Sequence, residues 1–599
     1  MSVDHDGGGP DGASDVSLTI GGDAGQGIES SGAGFTRALA RSGLHVFSMA
    51  DYRSRIRGGH NFYQIRTATR PVRSHSDPVD ILLALTGESV KVHLDKVRSG
   101  GVTVYDQDFK GIDEDEIKQR GVKPLALPLA ERAGELGSKV MMNTLVLGVA
   151  AGLLDFQTNF LTGVIRDSFA AKQSKIVEAN LEAISTGHRW GAAQRGDFSS
   201  RLRNLGGPRR MALHGNQAFC LGAAAAGCGF VAAYPMTPGT SVFEWMVGHS
   251  DRLGIVTKHA EDEISAMCMA VGAAHAGARS MTTTSGGGFS LMVEALGMAG
   301  MVELPVVVVL SQRGGPSTGL PTRTEQSDLM FALHASQGEF PRIILSPGTV
   351  EEAFEAGWRA FNLAEQYQCP VIVMMDQFLS SSVTTADPEA FQLSDVEINR
   401  GALLSAVDLD ALDEPYRRHR FTASGISPRA IPGHPAAVYS LTTDEHDEKG
   451  HITEDPFNRN RMMRKRMDKE QTARVSMAGP RRYGGPGEHL TLICWGSTVG
   501  SCLEAAGLLR DEGVDVDVLH FIDLWPLRAD LAGMALAETR FSVMVEQNYT
   551  GQLARLLEMT VGYRPDATLH KYDGRPFSPQ DIYRYAARAL NDARTPAWV

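Results

Sequence analysis

Residues whose types and spacing suit chemistry gather in a few short stretches. In Ala233-Tyr234-Pro235-Met236-Thr237-Pro238-Gly239-Thr240, two prolines bracket Thr237. Proline fixes its own φ and biases the residue before it away from helical angles, so the loop is stiff and can hold one hydroxyl against a small polar substrate. Spacing alone reads equally as a Pro-rich helix start capped by Thr240 or Ser241. Next, His259-Ala260-Glu261-Asp262-Glu263 runs into an apolar helix predicted over 264–276. Acids in a first helical turn commonly serve the helix dipole. Glu263 differs because it adjoins Ile264, Met267 and Met269, and a carboxylate partly withdrawn from water can share a proton with a ring nitrogen. The stretch 311–326 sets Arg313 and Arg323 among Gly314, Gly315, Pro316, Gly319 and Pro321. Two arginines in a stiffened loop suit bidentate capture of carboxylates, and a plain surface loop has little need of so much glycine and proline together.

A further glycine-rich turn, Gly21-Gly22-Asp23-Ala24-Gly25-Gln26-Gly27, follows a predicted strand over 17–20 and precedes a helix from Ile28. Free amides at such a helix start can hold an anion. The spacing is neither G-x-G-x-x-G nor a Walker loop, and a tight strand–helix turn is an equal reading. Downstream, Arg53, Arg55 and Arg57 precede Gly58-Gly59-His60, as a small basic pocket or a solvated arginine face.

The elements that must position these residues are α/β in class. Residues 16–186 alternate β-runs (81–85, 102–105) with helical segments, and 187–210 is polar and reads as a linker. Residues 211–398 carry apolar or β-branched runs at 280–284, 306–310 and 371–375, which read as buried strands. The Arg313 loop begins at the carboxyl end of one of them, where open α/β sheets bind ligands. Residues 399–487 are charged and poorly periodic, with a basic run over 459–469, and read as a solvated excursion laid over neighbouring domains. In 488–599, strands at 490–495, 514–520 and 540–545 and a helix at 499–509 imply a parallel sheet. The expected architecture is three α/β domains with a long charged insertion, behind an acidic, Gly-rich disordered tail over 1–15.

Composition excludes several classes. Seventy acids against 58 bases leave −12 across 599 residues, a poor balance for a polyanion binder, so no nucleic-acid partner is expected. The longest apolar runs fall short of the ~20 residues that span a bilayer, and no membrane partner is expected. The six cysteines never form C-x-x-C pairs and lack nearby histidines, so neither a metal site nor an iron–sulfur cluster is expected from this chain. Sparse unpaired cysteines fit a reducing cytoplasm.

Taken in order, these segments resemble the α subunit of 2-oxoacid:ferredoxin oxidoreductases, of the 2-oxoglutarate type with a γ domain fused at the N-terminus. The resemblance covers nearly the whole chain. It is carried by Gly25-Gln26-Gly27 with Arg57-Gly58-Gly59, by Tyr234-Pro235-Met236-Thr237-Pro238, by Glu263 before its apolar helix and by 314–326. Further matches are Gly338-Glu339-Phe340-Pro341-Arg342, Gly425-Ile426-Ser427-Pro428-Arg429 and Asp444-Glu445-His446-Asp447-Glu448-Lys449-Gly450. It implies a γ-like domain (16–186), a thiamine diphosphate pyrimidine-side domain (211–398) and a transketolase C-terminal-like domain (488–599).

The resemblance also implies that thiamine diphosphate is shared with a separate β subunit, which holds Mg²⁺ and a [4Fe–4S] cluster. This chain lacks Gly-Asp-Gly followed by an Asn pair, in keeping with that division. Glu263 resembles the carboxylate that bonds the pyrimidine nitrogen, with Tyr234 and Pro235 on the same side of the cofactor. Thr237 and Arg313 resemble the pair that holds the keto-carboxylate, and Arg323 with Thr324 falls where a distal carboxylate would bind. Gly25, Gln26, Gly27 and Arg57 fall where coenzyme A would be placed. The implied activity is CoA-dependent oxidative decarboxylation of 2-oxoglutarate to succinyl-CoA, reversible in principle, with electrons passed singly to ferredoxin in an α₂β₂ complex. Rival readings are the same family acting on pyruvate or a branched-chain or aryl 2-oxoacid, and a non-catalytic CoA- or nucleotide-binding subunit.

Overall fold

The β-branched runs form three sheets in a computed structural model that describes residues 15–52, 59–170, 174–196, 198–202 and 207–594. Arg53, Arg55, Arg57 and Gly58 lie outside the described residues, as does the expected tail except Asp15, which already begins the first strand. The chain divides into two compact units. One takes the described residues up to Leu213 with Ser381–Ala390 and Ser578–Gln580; the other takes His214–Ser380, Phe391–Phe577 and the residues from Asp581.

In the first unit the strand order is Lys123–Leu127, Val97–Asp106, Val79–Ala84, Asp15–Asp23, His60–Ala68, His45–Asp51, Val383–Ala386 and Met211–His214. The first four run parallel, and His60–Ala68 is antiparallel to both its neighbours. Leu18, Ile20, Phe35, Ile65, Leu83 and Val104 form the centre of its core. The expected linker at 187–210 needs correction, because the helix Ser174–Gln194 runs through its start. Gly187 and Gly191 are the contact face of that helix. A Cβ on Gly187 would strike the Leu145 carbonyl, and one on Gly191 the Val149 carbonyl, on the Met141–Leu153 helix.

In the second unit the larger sheet runs Asp523–Trp525, Ile343–Leu345, Pro370–Asp376, Val306–Gln312, Ser280–Thr284, Phe230–Ala233 and Val256–His259. All pairings are parallel except that of the first strand. Its central strands are buried along their length, as their unbroken apolar and β-branched sequences require. The smaller sheet runs Arg481–Tyr483, Val516–Phe521, Leu490–Trp495, Ser542–Glu546 and Ala567–His570, with only the first strand antiparallel. Three α/β sheets thus appear as expected, two of them within one compact unit.

The 399–487 stretch corrects a second expectation. It is not simply solvated, because its charges anchor it inside the second unit. Glu303, fully buried just past the helix Gly286–Met301, receives Lys465 Nζ at 2.5 Å, Lys469 Nζ and His419 Nδ1 at 3.1 Å. Glu365, also buried, takes Arg279, Arg400 and Arg429. The motif residues of this stretch serve the same anchoring. Arg429 binds Glu365, Glu445 binds Arg459 and Arg466, and Gly425, at φ 76°, leaves no room for a Cβ beside the Lys465 carbonyl.

Burial works against ionisation of Glu303, yet Lys465 and Lys469 outweigh it and hold the carboxyl well below the usual carboxylate range. Burial pushes Lys465 down to about 7 against the pull of Glu303. Removing the acid strands two buried cations, which costs ~3–5 kcal/mol. Glu303→Gln should therefore lower the thermal midpoint sharply at pH 6. At pH 9 the loss should be smaller, since the folded variant sheds lysine protons that its unfolded chain keeps and stability rises with pH. Melting curves at both values check this; a loss independent of pH would contradict it.

Candidate functional site

Four neighbouring strands of the larger sheet, Val306–Gln312, Ser280–Thr284, Phe230–Ala233 and Val256–His259, deliver their carboxyl ends to one edge. From these ends come the Arg313 loop, the turn Ser285-Gly286-Gly287-Gly288, the Thr237 loop and the lead into Glu263. Parallel sheets gather ligand-binding groups at this edge because every strand there hands over to a loop.

The Thr237 loop is tied down from below. Asn216 Nδ2 donates to the Pro238 carbonyl at 3.0 Å, and Thr283 Oγ1 donates to the Gly239 carbonyl at 3.1 Å. Its Thr237–Pro238 peptide is cis, and Gly239 rather than Thr240 or Ser241 precedes the following helix as its cap. The Thr237 carbonyl accepts Arg313 Nη1 at 2.7 Å, so the structure joins these two expected site residues through the backbone.

Glu263 opens the helix Glu263–His275. The helix start is fixed by Asp262, whose carboxylate accepts the Ser265 N–H at 2.7 Å while Ser265 Oγ accepts the Asp262 N–H at 3.2 Å. Glu263 is 3 % exposed, and its Oε1 is sealed with no hydrogen-bond partner. That oxygen lies against Gly288, where an added Cβ would come within 2.7 Å of it.

Two acids of the Arg313 loop complete the site. Asp328 donates its N–H to Gln312 Oε1 at 3.1 Å, and its Oδ2 is sealed without a partner. An added Cβ on Gly286 would lie 2.6 Å from that Oδ2, so Asp328 and Glu263 approach the same glycine turn. Burial pushes Asp328 up to about 6 against the pull of Arg313. Burial, then the Asp328 charge, push Glu325 up to about 7 while the Gly315 N–H and Ser327 oppose them. Burial lowers Arg313 from the usual guanidinium range and Asp328 partly restores it.

The other expected residues are dispersed. Arg323 carries its Cβ beside Gly574, where a Cβ on that glycine would come within 2.9 Å. Thr324 is 2 % exposed and its Oγ1 accepts the Phe378 N–H at 3.3 Å. Tyr234 and Pro235 are exposed, with the Tyr234 ring 6.5 Å from that of His259. Gly25, Gln26 and Gly27 belong to the first unit. There Gly27 adopts φ 77° as the cap of Ile28–Arg41, and Gln26 Oε1 accepts the Asp23 N–H at 2.8 Å.

Residues 221–465 match the family described as pyruvate flavodoxin/ferredoxin oxidoreductase, thiamine diphosphate-binding. Residues 17–190 match pyruvate ferredoxin/flavodoxin oxidoreductase, and 482–583 the transketolase C-terminal domain. The 2-oxoacid:ferredoxin oxidoreductase 2 α subunit of Aeropyrum pernix is 36 % identical over 96 % of this chain and 98 % of its own. This chain belongs to the family of 2-oxoacid:ferredoxin oxidoreductase α subunits. Within that oxidoreductase family, the 2-oxoglutarate oxidoreductase subunit KorA of Mycobacterium tuberculosis is 30 % identical over 96 % of this chain and 91 % of its own. The solved 2-oxoglutarate:ferredoxin oxidoreductase of Magnetococcus marinus, with 2-oxoglutarate, coenzyme A and succinyl-CoA bound, aligns at a TM-score of 0.90 and 34 % identity over 96 % of this chain and all of its own. Designation of the relatives as α subunits implies a partner subunit in the family. Among the described residues, no helix is long and apolar enough to cross a membrane.

The site fits the pyrimidine end of thiamine diphosphate, because Glu263 offers a buried oxygen with no hydrogen-bond partner, held against a glycine whose lack of a side chain admits it. The reading of the sequence missed Asp328, Glu325 and the glycine turn. The run Thr282-Thr283-Thr284-Ser285-Gly286-Gly287-Gly288, a buried strand entering three glycines, was the signal that could have found the turn. Gly288→Ala should lower the thermal midpoint although alanine favours helix, since its Cβ meets both Thr284 Oγ1 and Glu263. Overpacking of this kind costs ~1–3 kcal/mol. An unchanged or raised midpoint would show that the turn has room to spare.

Proposed function

We propose that this chain is the γα-fused α subunit of a 2-oxoglutarate:ferredoxin oxidoreductase, converting 2-oxoglutarate and coenzyme A to succinyl-CoA and carbon dioxide with ferredoxin as electron acceptor. The observation that carries the reading is the Thr237–Arg313 pair beside Asp328, on the glycine turn that also receives Glu263. Arg313 supplies the cation for a substrate carboxylate, and its bond to the Thr237 carbonyl fixes its direction. Glu263 holds the pyrimidine ring nitrogen, the only donor its sealed oxygen would then have. When bound, thiamine diphosphate supplies the nucleophilic carbon for decarboxylating a 2-oxoacid. Arg323, stiffened by the glycine- and proline-rich loop, takes the distal carboxylate, which favours a dicarboxylic substrate over pyruvate. The 34 % identity to the Magnetococcus enzyme across that whole chain supports the choice.

In this reading Mg²⁺ and the [4Fe–4S] cluster belong to a partner β subunit within an α₂β₂ complex. Coenzyme A is placed with help from the glycine turn of the first unit. The domain limits 211–398, 399–487 and 488–599 then describe the pyrimidine-side domain, its anchored insertion and the transketolase-like domain, after a fused γ domain that takes in the whole of the Ser174–Gln194 helix. Six free cysteines agree with work in a reducing cytoplasm.

The test is co-expression with candidate β subunits and assay of ferredoxin reduction with 2-oxoglutarate, pyruvate and branched-chain 2-oxoacids, each with coenzyme A. Arg323→Leu should lower kcat/KM for 2-oxoglutarate by ~10–100-fold, the worth of a hydrogen bond to a charged group, and leave pyruvate nearly unchanged. Equal losses would remove the distal-carboxylate assignment. Glu263→Gln should cut turnover ~10²–10⁴-fold with every 2-oxoacid while assembly survives, as loss of a positioned acid–base group does. Full turnover by that variant would favour a non-catalytic subunit.

A further inference from the structure

We infer that Gly574 and Gln547, on two loops of the smaller sheet, aim Arg323 and so set the preference for a dicarboxylic 2-oxoacid. The inference rests on the proposed distal-carboxylate role of Arg323 and adds the residues that position it. The arginine's own loop fixes only its backbone. The Leu320 N–H donates to the Gly314 carbonyl at 2.7 Å, the Arg323 N–H to the Leu320 carbonyl at 3.0 Å, and the Gly314 N–H to the Arg323 carbonyl at 3.3 Å. A guanidinium on a three-carbon stem still sweeps a wide arc unless that stem is packed.

Gly574 supplies that packing. It is buried, and a Cβ added there would lie 2.9 Å from Arg323 Cβ, 3.3 Å from Arg323 Cγ and 3.0 Å from Leu320 Cδ1. The bare backbone at Gly574 is therefore a wall along which the arginine stem leaves its loop. Its place follows from the smaller sheet, where the parallel strands Ser542–Glu546 and Ala567–His570 pair and release adjacent loops at their carboxyl ends. The Lys571 N–H donates to the Glu546 carbonyl at 3.2 Å, and the rings of Tyr549 and Tyr572 meet edge to face at 5.0 Å. Asp573 Oδ1 accepts the Arg575 N–H at 2.9 Å and turns the chain at Gly574, which adopts φ 77°. Buried Gln547 ties this turn to the arginine loop. Its N–H donates to Gln326 Oε1 at 3.1 Å, its carbonyl accepts the Gln326 N–H at 2.7 Å, and its Nε2 donates to the Arg575 carbonyl at 2.8 Å. One residue thus sets the spacing between the Arg323 stem and the wall beside it. A dicarboxylic 2-oxoacid senses that spacing through its second carboxylate, a group that pyruvate lacks.

The assembled α–β complex tests this through kcat and KM for 2-oxoglutarate and pyruvate. Calorimetric titration with 2-hydroxyglutarate, a dicarboxylate without the reactive carbonyl, reads binding alone. Gly574→Asn brings in a residue that tolerates positive φ but sets a side chain against the Arg323 stem. Gln547→Met keeps the volume and the backbone bonds but removes the amide donor to Arg575. Each should raise KM for 2-oxoglutarate and Kd for 2-hydroxyglutarate ~10-fold, as partial loss of a charged contact does, with far smaller changes in kcat and in pyruvate turnover. In an Arg323→Leu background each should add almost nothing to the loss. Unchanged KM, losses equal for both substrates, or losses repeated in full in that background would overturn the inference. An Arg323→Leu that costs both substrates alike sinks the distal-carboxylate reading and the inference with it. A selective Arg323→Leu beside unselective Gly574→Asn and Gln547→Met sinks the inference alone. Should Gly574→Asn fail to fold, Gln547→Met decides.

Discussion

A carboxylate oxygen removed from water and given no donor is costly, and this fold holds two such oxygens against one helix start. Glu263 Oε1 and Asp328 Oδ2 approach Gly288 and Gly286, positions where any side chain would collide with them. Much of the second unit follows from keeping them there. A capping box fixes the helix that carries Glu263, and Gln312 holds the backbone of Asp328. Arg313 offers a cation to Asp328 while its own direction is set by the Thr237 carbonyl. Such an arrangement is stable enough to persist and unsatisfied enough to favour a ligand that brings donors of its own.

The loop bearing Arg313 must then be stiff without being packed shut. Its far end is fixed by Gln326, which donates Nε2 to the Trp495 carbonyl at 2.8 Å and accepts the Gln547 N–H at 3.1 Å, while Asn548 Nδ2 donates to its carbonyl. Glu546 secures this frame by accepting from Trp495 Nε1, Asn548 and the N–H groups of Leu553 and Ala554. Every one of these anchors lies in the smaller sheet or its connections. The transketolase-like part of the chain therefore braces the Arg313 loop, even though Arg313 itself comes from the larger sheet.

The sheets were legible because buried parallel strands need unbroken apolar or β-branched runs, and 280–284, 306–310 and 371–375 have them. Glu263 was legible as an acid at the head of an apolar helix, and Arg313 as an arginine at a strand's carboxyl end. Asp328 was not, since only the fold brings it against Gly286. The bond of the Thr324 hydroxyl to the backbone of Phe378 was not legible, because those residues are far apart in sequence. The start of 187–210 read as linker because the role of Gly187 and Gly191 depends on a second helix distant in sequence. The basic run over 459–469 read as solvated because nothing local reveals Glu303 beneath it.

That buried acid bears on the site more directly than its distance in sequence suggests. The insertion buries an apolar cluster around Leu409, Tyr416, Ala430 and Ala437, and charge adds a second hold. Its cations converge just beyond the last turn of Gly286–Met301, where Arg418 Nη2 donates to the Glu303 carbonyl at 2.5 Å and Lys465 and Lys469 reach the Glu303 carboxylate. Positive charge at a helix carboxyl end complements the macrodipole, and the buried acid gives those charges a fixed address. The other end of the same helix is the glycine turn that receives Glu263 and Asp328. Ion pairs from the insertion fix one end of this helix, and so the floor of the site at its other end cannot drift away from the two acids that depend on it.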